Sequence, residues 1–226
     1  MPENSIEIFE IVEIFESING EGLKAGELSA FVRMKGCNLD CSFCDTAWAK
    51  EKDAEATYMT TSEILEEIAS FGVKNVTLTG GEPMEKKGIF SLIMALVDHG
   101  YQVEVETNGS IDLREYALLS DIVSFTIDYK LPGSGMEEKM LLENFLCFGE
   151  KNVIKFVVTD RTDLERAYAL CEDELRETRC RIYLSPAFGK IEPEEIVEFM
   201  KEKKWTEARL QLQLHKIIWE PDARGV

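Results

Sequence analysis

Six short runs of β-branched and aromatic residues recur along this chain with helical patterns between them. This alternation constrains the fold more than any other feature. The runs are SAFVRMKG (29–36), NVTLTGG (75–81), QVEVETNG (102–109), IVSFTIDYK (122–130), NVIKFVVTD (152–160) and RIYLSPAFG (181–189). Near-continuous apolar strands of this kind suit a parallel sheet covered by helices. Between them, TTSEILEEIASFG (60–72) carries a Thr/Ser start, an early glutamate, apolar spacing of three and four, and a closing glycine. Residues 85–100, 136–150, 162–177 and 192–205 read as helices in the same way. Alternating strand and helix predicts an α/β fold with right-handed crossovers. Six strands fall short of the eight of a full barrel; a partial, open TIM-like barrel with about six parallel core strands fits better than a doubly wound sheet, although the strand count alone does not decide between them. IEIFEIVEIFESI (6–18) and RLQLQLHKIIW (209–219) read as extra strands, N- and C-terminal extensions to the repeat, the second anchored by Ile217, Ile218 and Trp219. A length of 226 residues without linker or low-complexity tract predicts one domain, 1–226.

The polar residues fall at the strand ends. A cysteine-rich loop follows the first run, GGEP (80–83) the second, ETNG (106–109) the third, DYK (128–130) the fourth and SPAFG (185–189) the sixth. Glycine and asparagine there can be plain turn residues. Parallel α/β folds, however, bind ligands at the carboxyl ends of their strands, and five such ends point to one shared site.

The loop reads GCNLDCSFCDTAW (36–48) and gathers three of the chain's six cysteines. The acidic start MPENSIEIFE lacks the basic and apolar regions of a signal peptide, and no apolar run reaches the roughly 20 residues of a membrane helix. The expected compartment is therefore cytoplasmic, where clustered thiols mean metal more often than disulfide. A formal net charge of −18 repels phosphate backbones, which disfavours nucleic acid as partner and favours a small molecule. Structural zinc wants four closed ligands; His215 could complete a Cys3His site with Cys37, Cys41 and Cys44. An iron–sulfur cube on three thiolates instead leaves one iron open to a reactant. His99, in VDHG, reads as a helix-end or surface residue, and Cys147, Cys171 and Cys180 as ordinary thiols in helix and strand patterns.

Cys-x3-Cys-x2-Cys, with Phe43 before the last cysteine, resembles the signature of the radical S-adenosylmethionine (SAM) superfamily, and the later motifs follow in that superfamily's order. The resemblance implies a partial TIM-like barrel and a 4Fe–4S cluster whose open iron chelates SAM. It also implies one-electron cleavage of SAM to a 5′-deoxyadenosyl radical that abstracts a substrate hydrogen. A flavodoxin or ferredoxin would supply the electron. Within the superfamily, IFESINGEG (14–22), FVRMKGCNLDCSFCDT and TGGEP resemble the family of 7-carboxy-7-deazaguanine synthases. That family's reaction contracts 6-carboxy-5,6,7,8-tetrahydropterin to 7-carboxy-7-deazaguanine with loss of ammonia, on the way to deazapurines such as queuosine. The family also implies Mg²⁺ and a homodimer.

Residue by residue, Asn19, Gly20 and Glu21 match the family's substrate stretch, where carboxylate and carbonyl acceptors suit the pterin's guanidine-like edge. Arg33 sits in an apolar strand, where an unpaired charge is costly, and matches the arginine that takes the substrate carboxylate. Thr79 aligns with a substrate contact, and Thr46 with a Mg²⁺-contacting hydroxyl, chemically reasonable because Mg²⁺ keeps most ligands as water and substrate oxygen. For SAM, the resemblance implies a backbone contact at Gly81, a brace at Glu82 and a contact at Glu106. Asp128, Tyr129 and Lys130 stand where relatives carry Ser-Pro-Lys, with Lys130 for the SAM carboxylate and Asp128 for a ribose hydroxyl. Ser185, Pro186, Ala187 and Phe188 stand where relatives have a Gln-Pro start, an adenine-side contact. The tail would close over the substrate and bring the Val226 carboxylate to it. A glycyl-radical-activating enzyme shares the triplet but acts on a protein partner, and a zinc-binding module is the non-enzymatic alternative.

Overall fold

The structure, a computed structural model, describes residues 7–119 and 121–226. Ile6, first in the expected N-terminal strand, and the acidic start of the chain lie outside the described residues. Among the described residues nine strands form one sheet: β1 (Ile8–Ile18), β2 (Leu28–Met34), β3 (Thr57–Thr60), β4 (Asn75–Gly80), β5 (Gln102–Thr107), β6 (Val123–Tyr129), β7 (Val153–Val158), β8 (Arg181–Pro186) and β9 (Ala208–Leu210). Their order is β3-β1-β2-β4-β5-β6-β7-β8-β9. β1 runs antiparallel to both neighbours, and every pair from β2 to β9 is parallel. The sheet does not close. β3 and β9 are its two edges, so the architecture is the open α/β barrel that the repeat predicts, with all six expected strands in place.

The crossovers are α2 (Thr61–Phe71), α3 (Ile89–Asp98), α4 (Arg161–Glu172) and α5 (Pro193–Lys203); short α1 (Ala47–Lys50) and α6 (His215–Ile218) lie outside that repeat. α2 starts where the sequence reading places it, at a capping box on Thr60 and Glu63, and stops at Gly72 with φ 70°. Ile64 and Ile68, one turn apart, are its buried stripe. The hydrophobic core lies between helices and sheet, where Val76, Leu78, Val105, Phe125, Ile127, Phe156 and Leu184 meet Ile64, Ile68, Leu92, Leu96 and Leu164.

Three expectations are corrected. Residues 136–150 form 3-10 turns at Glu137–Lys139 and Leu142–Phe145 instead of an α-helix. Tertiary demands override helix propensity there: buried Asn144 donates to the carbonyls of Gly109 (2.8 Å) and Ile111 (2.6 Å) and accepts from the Leu113 N–H (2.8 Å). The 209–219 strand ends at Leu210, because the Gln211 side-chain amide turns away to clasp the Gly22 backbone from both sides at 2.9 Å. Ile217, Ile218 and Trp219, expected to anchor that strand, are exposed on or just after α6. Finally, the strands are not apolar on both faces. They alternate, and the polar set points into the barrel.

Candidate active site

Alternation along each strand decides what the interior contains. On β2 it is Phe31 and Arg33, on β4 Thr77 and Thr79, on β5 Glu104 and Glu106, on β6 Thr126 and Asp128, and on β7 Lys155 and Val157. The residues between them belong to the helix-facing core. Parallel register sets Arg33 beside Thr79 and Asp128 beside Lys155.

The polar residues form two tiers. In the lower, Ser29 meets Thr77 at 2.9 Å, Asn19 donates to Thr77 (3.2 Å) and Glu104 (2.9 Å), and Thr126 donates to Glu104 (2.7 Å). This network holds the 19–22 loop from beneath. In the upper, Thr79 donates to Glu106 (2.6 Å), Lys155 pairs with Glu21 (3.2 Å) and Asp128 (3.5 Å), and Lys130 pairs with Asp128 (2.8 Å). Above it opens a cavity of about 460 Å³, whose lining includes all three loop cysteines, Glu21, Arg33, Glu106, Asp128 and Lys155.

Burial shapes the charges. Desolvation disfavours the Lys155 ammonium, yet Glu21, Asp128 and Glu106 around it raise its pKa above the ordinary lysine value, so it stays cationic. Lys130 is likewise raised: burial opposes its charge, and Asp128 and then Cys41 outweigh it. Burial lifts Glu106, with Lys155 pulling it back. The Oδ1 of Asp128 is buried and has no hydrogen-bond partner among the described residues. Such an orphan acceptor is costly unless something donates to it; a ligand hydroxyl or ammonium entering the cavity would.

The cysteine loop leaves β2 and is docked on later turns. Ser42 donates to the Gly133 carbonyl (2.7 Å), its N–H donates to Ser134 O (3.0 Å), and Asn38 donates to Ser110 (2.7 Å). Asn108 donates to Asn38 (2.9 Å) and to the Cys37 sulfur (3.7 Å). All three thiols are free. Burial raises the Cys37 pKa and pushes that of Cys41 up to about 11, so metal binding must displace protons. Among the described residues no three His, Cys, Asp or Glu side chains converge on one ion position. An iron–sulfur cube takes each thiolate on a different iron. The triplet, with an open cavity above it, fits the cube.

GGEP is welded to this loop. The Gly81 N–H donates to Met34 O and the Glu82 N–H to Gly36 O, both at 2.9 Å. A Cβ on Gly81 would lie 1.6 Å from Gly36 O, so backbone packing alone requires glycine there. With its N–H spent, Gly81 can offer a ligand only its carbonyl. Glu82 is fully buried and accepts from Met84 N (2.9 Å), Thr107 Oγ1 (2.7 Å) and Asn108 N (2.7 Å), a brace that does not reach the cavity.

Of the residues singled out in the sequence, Asn19, Gly20, Glu21, Arg33, Cys37, Cys41, Cys44, Thr46, Thr79, Gly81, Glu106, Asp128, Lys130, Ala187, Phe188 and Val226 line the cavity. Tyr129 does not: its ring packs between Phe145 (5.0 Å) and Phe156 (5.6 Å) on the opposite face of β6. Ser185 and Pro186 are buried beneath the lining, and Ser185 donates to Glu21 at 3.4 Å. His99 caps the end of α3 and is exposed. Sequence reasoning missed Glu13, Phe15, Lys155 and, beneath them, Glu104. For Glu104 the signal was there, as V-T-L-T, V-E-V-E and F-T-I-D alternate at period two. It missed the tail contacts as well: Lys216 pairs with Asp45 (2.8 Å), and the Arg224 guanidinium sits over Trp48 (3.9 Å). These pack residues 221–226 along the cavity mouth.

Residues 31–130 match the family model of the radical SAM superfamily. The chain is 51% identical over 219 residues to the 7-carboxy-7-deazaguanine synthase of Clostridium acetobutylicum, covering 96% of this chain and 99% of that one. It is 39% identical to the enzyme of the same name from Chlorobaculum tepidum, with 96% of each chain covered. Among solved structures, QueE from Escherichia coli superposes with a TM-score of 0.72 at 23% identity, over 91% of this chain and 94% of that one, a likeness of fold.

Proposed function

We infer the function of this site from one premise: the chain belongs to the 7-carboxy-7-deazaguanine synthase family of radical SAM enzymes. The protein is an enzyme that contracts 6-carboxy-5,6,7,8-tetrahydropterin to 7-carboxy-7-deazaguanine with loss of ammonia. The observation that carries this reading is that the thiol triplet, the Glu21–Lys155–Asp128 ion network and the separate Glu13–Arg33 pair open on one cavity. When bound, the 4Fe–4S cluster and SAM supply one-electron hydrogen abstraction from the pterin; Cys37, Cys41 and Cys44 would hold the cluster.

The chain's own residues bind, orient and exclude. Glu21 presents a carboxylate to the pterin's guanidine-like edge, fixed by Lys155 and Ser185. Arg33 takes the substrate carboxylate, with Thr79 beside it in register, and Asn19 also lines the cavity. Asp128 Oδ1 accepts from a ribose hydroxyl, Lys130 neutralises a carboxylate, and the Gly81 carbonyl accepts from an ammonium. Ala187 and Phe188 form the adenine side. Residues 221–226, held by Arg224 on Trp48, exclude water. We further propose that Thr46, whose hydroxyl lies beside Asp45 at 3.2 Å, would help to hold Mg²⁺, which would supply a hard cation for oxygen ligands. A small one-electron carrier such as flavodoxin or ferredoxin fits the need for reductant, and pairing into a homodimer is the family expectation. No helix among the described residues is long and apolar enough to cross a membrane.

The deciding experiment is an anaerobic assay of reconstituted protein with SAM, dithionite and 6-carboxytetrahydropterin, read by mass analysis of the product. The expected product is 7-carboxy-7-deazaguanine, and Cys37→Ala, Cys41→Ala and Cys44→Ala should each abolish it. Full turnover by any of the three overturns the assignment. Removing Mg²⁺ should slow product formation by about tenfold or more and leave reduction of the cluster, followed by its absorbance, unchanged; an unaltered product rate refutes the Thr46 role.

A further inference from the structure

β1 breaks register against β2 between Ile11 and Glu13: Ile11 lies opposite Met34, and Glu13 opposite Arg33. In an unbroken strand residues 11 and 13 share a face. Here Phe9 and Ile11 are buried in the core, whereas Glu13 and Phe15 line the cavity. The bulge turns the second half of β1 over, and bulges re-aim side chains in this way beside active sites. What it brings in is matched to Arg33. Glu13 Oε1 accepts from Arg33 Nε at 2.7 Å, and the guanidinium carbon lies 5.6 Å from the Phe15 ring centre. Phe15 in turn stacks on Phe31, its cross-strand partner, with ring centres 5.0 Å apart and planes 9° from parallel.

We propose that Glu13 is the positioning residue that makes Arg33 selective for a carboxylated pterin. Glu13 occupies the Nε side of the guanidinium, and the Phe15–Phe31 stack fixes its plane. The edge formed by the two terminal nitrogens is then left to meet a carboxylate with two parallel hydrogen bonds. The inference rests on the functional reading above, which gives the substrate a carboxylate. It adds that orientation, at the expense of some attraction, is what Glu13 contributes: its negative charge beside Arg33 weakens the pull on another anion, and its acceptor oxygen aims it.

The test compares two ligands, 6-carboxytetrahydropterin and the tetrahydropterin without the carboxylate, by anaerobic equilibrium binding to the reconstituted holoenzyme and by steady-state kinetics. Glu13→Ala should raise Kd and KM for the carboxylated pterin roughly tenfold with kcat changed by less than about twofold, and leave binding of the other pterin unchanged. Glu13→Gln keeps an oxygen for Nε and drops the competing charge, so it should bind the carboxylated pterin at least as tightly as wild type. Arg33→Ala should erase the discrimination that Glu13→Ala reduces. Thermal melts accompany each variant. Equal loss for both pterins in Glu13→Ala, or failure of Glu13→Gln to restore affinity, overturns the proposal and leaves the functional reading intact. If wild-type protein does not convert the carboxylated pterin, the functional reading fails and takes this inference with it.

Discussion

Gly81 shows how one residue can serve two ends. The sequence suggests a ligand contact, and the structure adds a steric reason: no Cβ fits against Gly36 O. Gly81→Ala should therefore damage the fold as well as the site. The expected loss is about 2–4 kcal/mol, seen as a lower denaturation midpoint, together with reduced iron content after reconstitution because the cysteine loop is pushed off its dock. A variant that keeps wild-type stability and loses only SAM binding would assign Gly81 to the ligand alone. Lys155 teaches the opposite lesson. Within NVIKFVVTD it reads as an interruption of an apolar strand, yet it is the cation about which Glu21 and Asp128 are arranged. Its role depends on partners 134 residues away in sequence for Glu21 and one strand away for Asp128, so neighbours along the chain could not announce it.

At the scale of elements, the six core strands and the four crossover helices were legible because their signals are local: periodicity, a capping box at Thr60, a closing Gly72. Residues 136–150 were not. MEEKMLLENFLCFGE has helical spacing, but buried Asn144 is needed to satisfy the turn after ETNG, and a regular helix would not deliver its amide there. Asn144→Ala should cost about 2–4 kcal/mol, since three backbone groups lose their partner in a buried place. Chemical denaturation would measure it. A loss under about 0.5 kcal/mol would show that the segment holds its shape without Asn144. The β1 bulge belongs to the same class of feature. IEIFEIVEIFESI spaces its glutamates three apart, at 7, 10, 13 and 16, and that spacing does not say where one residue is inserted.

For the whole molecule, the polar barrel interior predicts how stability depends on pH. Burial, and after it Glu106, lift Glu104 to about 7, and burial lifts Glu82 to about 6, against an ordinary value of 4.5. A carboxyl raised on folding holds its proton in the folded chain while the unfolded chain ionises. Its contribution is whole below about pH 4.5 and is lost as pH rises through 6 to 7. Thermal melts should fall across that window and level off above it, and Glu104→Gln should flatten the slope; an unchanged slope in that variant would place the effect elsewhere. The sequence alone determined the repeating strand and helix and the thiol triplet, because each rests on neighbours a few residues apart. Tertiary structure alone decided which strand face meets the ligand, which carboxylates share Lys155, and how Glu13 reaches Arg33. Those pairings depend on register between distant strands, and one inserted residue in β1 is enough to exchange what is buried for what binds.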